Sequence, residues 1–466
     1  MTGFAGSPPV QGTQRFIAMQ RLAMGLLFCA TFLSAITLTP ELPGVGTKLI
    51  AADIFFGLFL LLTLVAAVGS KRIGAPLSGQ QRLCLWLFAA FIFGLMLSLT
   101  LVGVPSGSSF GIGVLTAANY IYGMAIAVAL IYWAVRFRDM ETIAFAIVAG
   151  TFLVSFVAAL ALLGLAPAWA TSGYRISSTM LATNQVQSYV APGMALATTF
   201  FITDRARPAV RAFALVTIIL GMVALLATGS RSSFIFLILL LAFFAVRVVF
   251  SRLTSVWLKL GVISISLGIG LATVALIGAV VTFGRTALPE GPMRVAARPI
   301  IEFVEMGEQQ DTLESLGPRG KQIALVEQHW WESPVIGYGP DALRQYFDHR
   351  HEVHNTYLGI LIDQGLVGMA LLMAILVVSA VGLLRRVQSL PNPQAAQFLL
   401  GVLMALVMIY LYGLFTFGLR QRIFWLVQGL AIAGLVQGVQ ASRRRAVPPP
   451  TPHHTRTARL GLANTI

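Results

Sequence analysis

Residues 356–384 read TYLGILIDQGLVGMALLMAILVVSAVGLL, an apolar run holding one charge, Asp363. About 20 mostly apolar residues in a helix cross the hydrocarbon core of a bilayer, and lipid-exposed backbone must bond to itself, so the run predicts a membrane-spanning helix. Similar runs lie near 22–38, 49–69, 83–103, 112–134, 142–164, 187–203, 211–228, 233–250, 258–283, 396–416 and 423–440. Composition agrees. The 466 residues are 57% hydrophobic and 11% charged, with a mean hydropathy of +0.83, more apolar surface than one water-soluble core takes up. The predicted fold class is an all-α polytopic integral membrane protein of about twelve transmembrane helices with one large loop.

A net charge of +15 suggests nucleic acid in a soluble protein, but in a membrane protein the basic residues are read by side. Alternate connections carry them: Arg15 and Arg21; Lys71, Arg72 and Arg82; Arg136 and Arg138; Arg205, Arg207 and Arg211; Arg247, Arg252 and Lys259; Arg385 and Arg386; and the tail from Arg443. These are expected to face the cytoplasm. The opposite connections hold Lys48, Arg175, Arg231, Arg420 and Arg422, the last two read as snorkelling to lipid headgroups. Both termini are then cytoplasmic and no nucleic-acid partner is expected. Cys29 and Cys84 fall inside apolar runs and read as packing residues. The first span reads as an uncleaved helix rather than a signal peptide.

The expected organisation is a cytoplasmic segment 1–21, spans 22–283, a large periplasmic loop 284–354, spans 355–440 and a disordered cytoplasmic tail 441–466. The loop carries eleven of the 17 acidic residues and four of the 6 histidines. In its second half Ile323, Leu325, Val326, Trp330 and Trp331 have partly helical spacing, followed by a turn at Gly337-Tyr338-Gly339-Pro340. Paired tryptophans suit a membrane interface, so this segment is expected on the bilayer surface.

Three groups of residues bear on chemistry. His354-Asn355 enters the tenth span, with Gly365 and Gly368 below; on a continuous helix positions 354, 358, 361, 365 and 368 fall on one face, where glycines admit a neighbour closely. A neutral histidine at the water–lipid boundary accepts a proton. Arg231 opens the eighth span within Thr228-Gly229-Ser230-Arg231-Ser232-Ser233, Arg175 precedes the sixth, and Arg319 lies in the loop; guanidinium forks and helix N-termini both favour phosphate. Asn184, Gln185 and Gln187 line a polar cavity or face water. His349 and His351 beside His354 suggest a metal cluster, but no cysteine or second histidine pair supports one. Asp363 points away from the histidine face.

Pro334-Val335-Ile336-Gly337-Tyr338-Gly339-Pro340, running on to His354-Asn355 and Gly365–Gly368, resembles in residues and spacing the signature of the O-antigen ligase and polymerase superfamily of bacterial envelope glycosyltransferases. Gly229-Ser230-Arg231 is similar to a second family pattern. The segment from Arg175 to Asn184 is similar to a third, with Ser178 and Thr183 where Gly and Pro are usual. The resemblance implies a GT-C-like inner-membrane enzyme, without metal or cofactor. It implies transfer of a glycan from undecaprenyl diphosphate to an acceptor sugar hydroxyl on the periplasmic side. It gives His354 the role of base and Arg231, Arg319 and Arg175 that of binding the diphosphate, with Asn184, Asn355, Gly337, Gly339, Gly365 and Gly368 in support. Direct attack inverts the anomeric carbon, since no carboxylate pair suits a retaining mechanism.

One large loop and the His-Asn-nine-Gly spacing favour ligation to lipid A core. O-antigen or exopolysaccharide polymerisation shares the signature and is the alternative. A transporter or flippase of lipid-linked sugars is the reading from another class, and needs polar groups lining a path through the membrane. A scaffold of an envelope assembly complex is a third.

Overall fold

A computed structural model describes residues 11–37, 51–69, 77–103, 110–137, 139–172, 175–180, 182–203, 207–250, 318–346 and 353–435, with single positions at 256, 260, 261 and 264. Apart from those positions the expected ninth span lies outside the described residues, as do the first half of the loop, His349, His351 and the tail.

The expected spans other than the ninth each contain a helix. In chain order these are α1 (Gln11–Leu33), α2 (Ala51–Gly69), α3 (Gly79–Ser98), α4 (Phe110–Phe137), α5 (Met140–Leu162), α6 (Thr183–Ile202), α7 (Pro208–Ala227) and α8 (Arg231–Phe250). The loop supplies α9 (Pro318–His329) and the short α10 (Ala342–Tyr346), and α11 (Thr356–Ser389), α12 (Pro393–Tyr412) and α13 (Arg422–Gly434) follow among the described residues. Eight of the described helices are long and apolar enough to cross a membrane, and Ala18–Leu33 and Arg422–Gly434 are shorter apolar helices. The architecture is that of an all-α, multi-pass membrane protein. Its β structure among the described residues is a two-residue ladder in which Thr171–Ser172 pairs antiparallel with Arg175–Ile176.

Helix α6 is long enough to span but too polar to count with the eight. Its place explains this. It packs against α5, α7, α8 and α12, and Gln187, Ser188, Thr198 and Thr199 are buried along it. A helix ringed by helices takes its hydrogen bonds from protein rather than lipid: Thr198 and Thr199 donate to the carbonyls of Met194 and Ala195, and Gln187 accepts from α8.

The element that positions the rest is a break in α11. Gly365 has φ 64° and ψ −161° inside the helix, which frees backbone groups on both sides of it. The loop segment 334–339 takes them up. Tyr338 N–H donates to Ile362 O (2.9 Å), Gly339 N–H to Asp363 O (2.9 Å), and Leu366 and Val367 donate back to Pro334 O (2.8 Å) and Val335 O (3.2 Å). Ser98 Oγ, at the end of α3, adds a second bond to Asp363 O at 2.9 Å. Such closure is what lets irregular backbone sit at membrane depth.

Continuous helical geometry through residue 368 was the expectation, and the break overturns it. Gly365 and Gly368 do not continue the face below His354. Gly365 lies against the backbone of Val335 and Ile336, and Gly368 lies against the Gln364 side chain. Of the two, Gly365 serves a loop-to-helix contact.

Gly337 (φ 67°) and Gly365 both occupy the left-handed region, and a Cβ at either would overlap the backbone of the other strand of this contact. Gly337→Ala and Gly365→Ala are each expected to lower stability by about 2–4 kcal/mol, the sum of a left-handed alanine and overpacking. Unfolding in mixed micelles measures this, and wild-type stability in either variant rejects the account.

Candidate active site

The sequence around His354 is built to hold one residue between two supports. Asn355 is the N-cap of α11, its Oδ1 accepting from the N–H groups of Tyr357 (2.9 Å) and Leu358 (3.0 Å), the role for which asparagine is favoured. Its Nδ2 donates to Leu414 O at 3.1 Å. Thr356 continues the seam: its N–H donates to Gly413 O (2.7 Å) and its hydroxyl to Thr416 O (2.9 Å), while that hydroxyl accepts from Gly418 N–H (2.7 Å). The start of α11 is thereby sewn to the α12–α13 connection. On the other side, His354 N–H donates to Oε1 of the buried Gln322 on α9 at 2.9 Å. His354 itself precedes the cap and is not part of the helix.

The second half of the loop is ordered around a small core of Val326, Ala342, Leu343, Val353 and Ile362. The residues expected to be partly helical form α9 and a 3-10 turn at Trp330–Glu332. Tyr338 OH donates to Glu332 Oε2 (2.7 Å) and His329 Nδ1 meets Oε1 at 2.9 Å. These bonds, Tyr338's first, hold the exposed Glu332 carboxyl below its ordinary value.

His354 lines a cavity of about 290 Å³ together with Ser34 and Thr37 beyond α1, Asn184, Gln185 and Tyr189 of α6, and Arg420, Gln421 and Arg422 between α12 and α13. The ends of five helices meet there. Thr37 Oγ1 donates to Gln185 Oε1 (3.2 Å) and Ser188 Oγ to Gln421 Oε1 (3.0 Å), so the polar lining is cross-linked. A second cavity of about 520 Å³ lies at the other end of α6, lined by Thr199 and Thr203 with Glu141, Arg207 and Gln394. It lacks a histidine, so the first is the better candidate for proton transfer.

Two arginines of the first cavity escaped the reading from sequence. Arg422 makes a two-pronged pair with Asp53 on α2, 2.6 Å from Nε to Oδ1 and 2.6 Å from Nη2 to Oδ2, and Tyr122 OH donates to the same Oδ1 at 3.0 Å. Arg420 pairs with Asp341 of the loop at 3.1 Å and stands 5.7 Å from the Phe417 ring centroid. The expectation that both snorkel to headgroups is corrected, because a carboxylate within the protein satisfies a guanidinium fork better than a mobile lipid does. Asp53, a lone acid at the start of an apolar span, was the available signal, since such a charge calls for a partner.

Of the expected site residues, the structure brings His354 and Asn184 to one cavity. Arg231 opens α8 and is not among the lining residues. Its neighbours Ser232 and Ser233 each donate to Gln187 Oε1 at 2.8 Å, which ties that helix start to α6 one turn below Asn184. Arg319 is in the first turn of α9 and Arg175 in the second strand of the ladder, both placed by their backbone. Asn355 caps α11, and Gly337, Gly339 and Gly365 shape the loop contact; none of the four is among the cavity-lining residues.

Residues 214–373 match the family model described as O-antigen ligase. The match runs from α7 into α11, includes Arg231, Arg319, Gly337, Gly339, His354, Gly365 and Gly368, and stops short of Arg420 and Arg422. No curated protein matches the chain.

The Arg422–Asp53 pair is 24% and 10% exposed on its two sides, so removal of one partner strands a largely desolvated charge. Arg422→Ala is expected to cost about 2 kcal/mol, and Arg422→Ala/Asp53→Asn less than the sum of the single changes. A double-mutant cycle on unfolding in micelles reads the coupling, and strict additivity rejects it.

Proposed function

We take the match of residues 214–373 to the O-antigen ligase family model as the premise and propose that the chain transfers a glycan from undecaprenyl diphosphate to an acceptor sugar hydroxyl, ligating O-antigen to lipid A core. The observation that carries the proposal is His354 lining one cavity with two arginines at a single end of a membrane-spanning bundle. Transport needs a polar path between the two ends, whereas the charges of this cavity are gathered at one of them.

In this reading the His354 imidazole takes the proton of the acceptor hydroxyl as its oxygen attacks the anomeric carbon. The bond from that carbon to the phosphate oxygen breaks, undecaprenyl diphosphate leaves with the electron pair, and the anomeric centre inverts. A lipid diphosphate is already a good leaving group, so the protein supplies orientation, a base and positive charge where negative charge develops. Arg231, at the positive end of the α8 dipole, supplies part of that charge, joined by Arg319 and Arg175. About 290 Å³ is at the small end of ligand sites and suits the reacting sugar and diphosphate, with the polyprenyl chain and the rest of the glycan outside. The loop and this end of the bundle face the periplasm of the inner membrane, and both termini face the cytoplasm.

Loss of a positioned general base costs about 10²–10⁴-fold in rate. In a deletion strain complemented with His354→Ala at the wild-type membrane level, full-length polymer is expected to remain on the carrier while lipid A bears bare core. Gel and mass-spectrometric analysis of both glycan pools decides. Single repeats reaching their acceptor without long chains identify a polymerase, and glycans unchanged from wild type remove His354 from the mechanism.

A further inference from the structure

We infer that Arg420 is an anion-facing residue of the cavity and that Asp341 is its positioning residue, their ion pair also clasping the loop to the bundle. The identity of the anion, a diphosphate, rests on the transferase reading above; the clasp does not.

Arg420 lines the cavity with His354, and Asp341 does not. The carboxylate therefore stands behind the guanidinium, on the protein side. Asp341 is 3% exposed in its side chain and its Oδ2 meets Arg420 Nη2 at 3.1 Å and Arg344 Nη1 at 3.2 Å. Arg420 Nη2 also donates to Thr116 Oγ1 on α4 at 3.2 Å. With the Phe417 ring nearby, the guanidinium is held by a carboxylate, a hydroxyl and an aromatic ring from three parts of the chain. A fork fixed in this way meets a phosphate without first losing side-chain freedom.

The backbone at Asp341 points the same way. Its φ is 64°, a conformation costly for a side chain other than glycine and one that persists where surrounding contacts over-determine it. Those contacts are here. Ala342 N–H donates to Asp363 Oδ1 at 3.0 Å, and Ala342 and Leu343 pack with Val353, the residue before His354. One carboxylate thus connects the cavity arginine to the loop core that carries the histidine.

The test uses the full chain in phosphatidylcholine nanodiscs, with binding of inorganic pyrophosphate followed by calorimetry and KM and kcat measured for the lipid-diphosphate donor. Asp341→Asn removes the charge and keeps a residue that tolerates positive φ. It is expected to weaken pyrophosphate about tenfold and to raise KM more than it lowers kcat. Arg420→Ala should be at least as weak and Arg420→Lys intermediate, with unfolding midpoints confirming that each variant is folded. Pyrophosphate binding that is weakened in both Asp341→Asn and Arg420→Ala while cells show no glycan transfer by wild type supports the paired roles of Arg420 and Asp341 and defeats the transferase reading. Intact transfer with pyrophosphate binding indifferent to Asp341→Asn and Arg420→Ala overturns the inference alone.

Discussion

The structure depends on a backbone exchange between residues 334–339 and 362–367. A helix that crosses lipid has no spare partners for its peptide groups, so the interruption at Gly365 is tolerable only because a second stretch of chain brings donors and acceptors in register. Four hydrogen bonds between main chains do this, and they need close approach, which is why glycine stands at 337 and 365. Once made, they fix where the loop leaves the membrane helix. The loop core, α9 and the Gln322 side-chain oxygen that holds the His354 N–H follow from that anchor.

Charge completes what the backbone begins. Asp53 and Asp341 come from opposite halves of the chain and each draws one arginine of the α12–α13 connection to a defined place. Buried ion pairs contribute little net stability against apolar packing, and their value is more often in specifying one arrangement. Here they specify the orientation of two guanidinium groups relative to a histidine. The same connection accepts hydrogen bonds from Asn355 and Thr356, so His354 and the two arginines share one scaffold.

Much of this was legible in the sequence, and the parts that were not share a cause. Apolar runs report contact with lipid, so the spans from α1 to α8 and from α11 to α13 could be read with modest errors at their ends. The order in the second half of the loop was readable from Val326 and the Gly337–Pro340 turn, and the His354-Asn355 start from its resemblance and capping chemistry. Helical periodicity failed at Gly365 because a partner distant in sequence, Pro334–Gly339, replaces the helix's own bonds, which a count of 100° per residue does not see. Arg420 and Arg422 failed for the same reason: Asp341 and Asp53, far away along the chain, decide their surroundings. Conversely, the run at α6 is only weakly apolar because it is enclosed by other helices.

That enclosure has a consequence for how the protein is made. A segment carrying Gln187, Ser188, Thr198 and Thr199 partitions into bilayer less readily than its neighbours, since each polar side chain penalises solitary insertion. The groups that stabilise it, Ser232 and Ser233 of α8 and Gln421 before α13, are synthesised after it. Helix α6 therefore reaches its final environment late, held in the meantime by α5 and α7, and the wall of the cavity containing Asn184 and Gln185 is finished only when Gln421 and α13 have emerged from the ribosome.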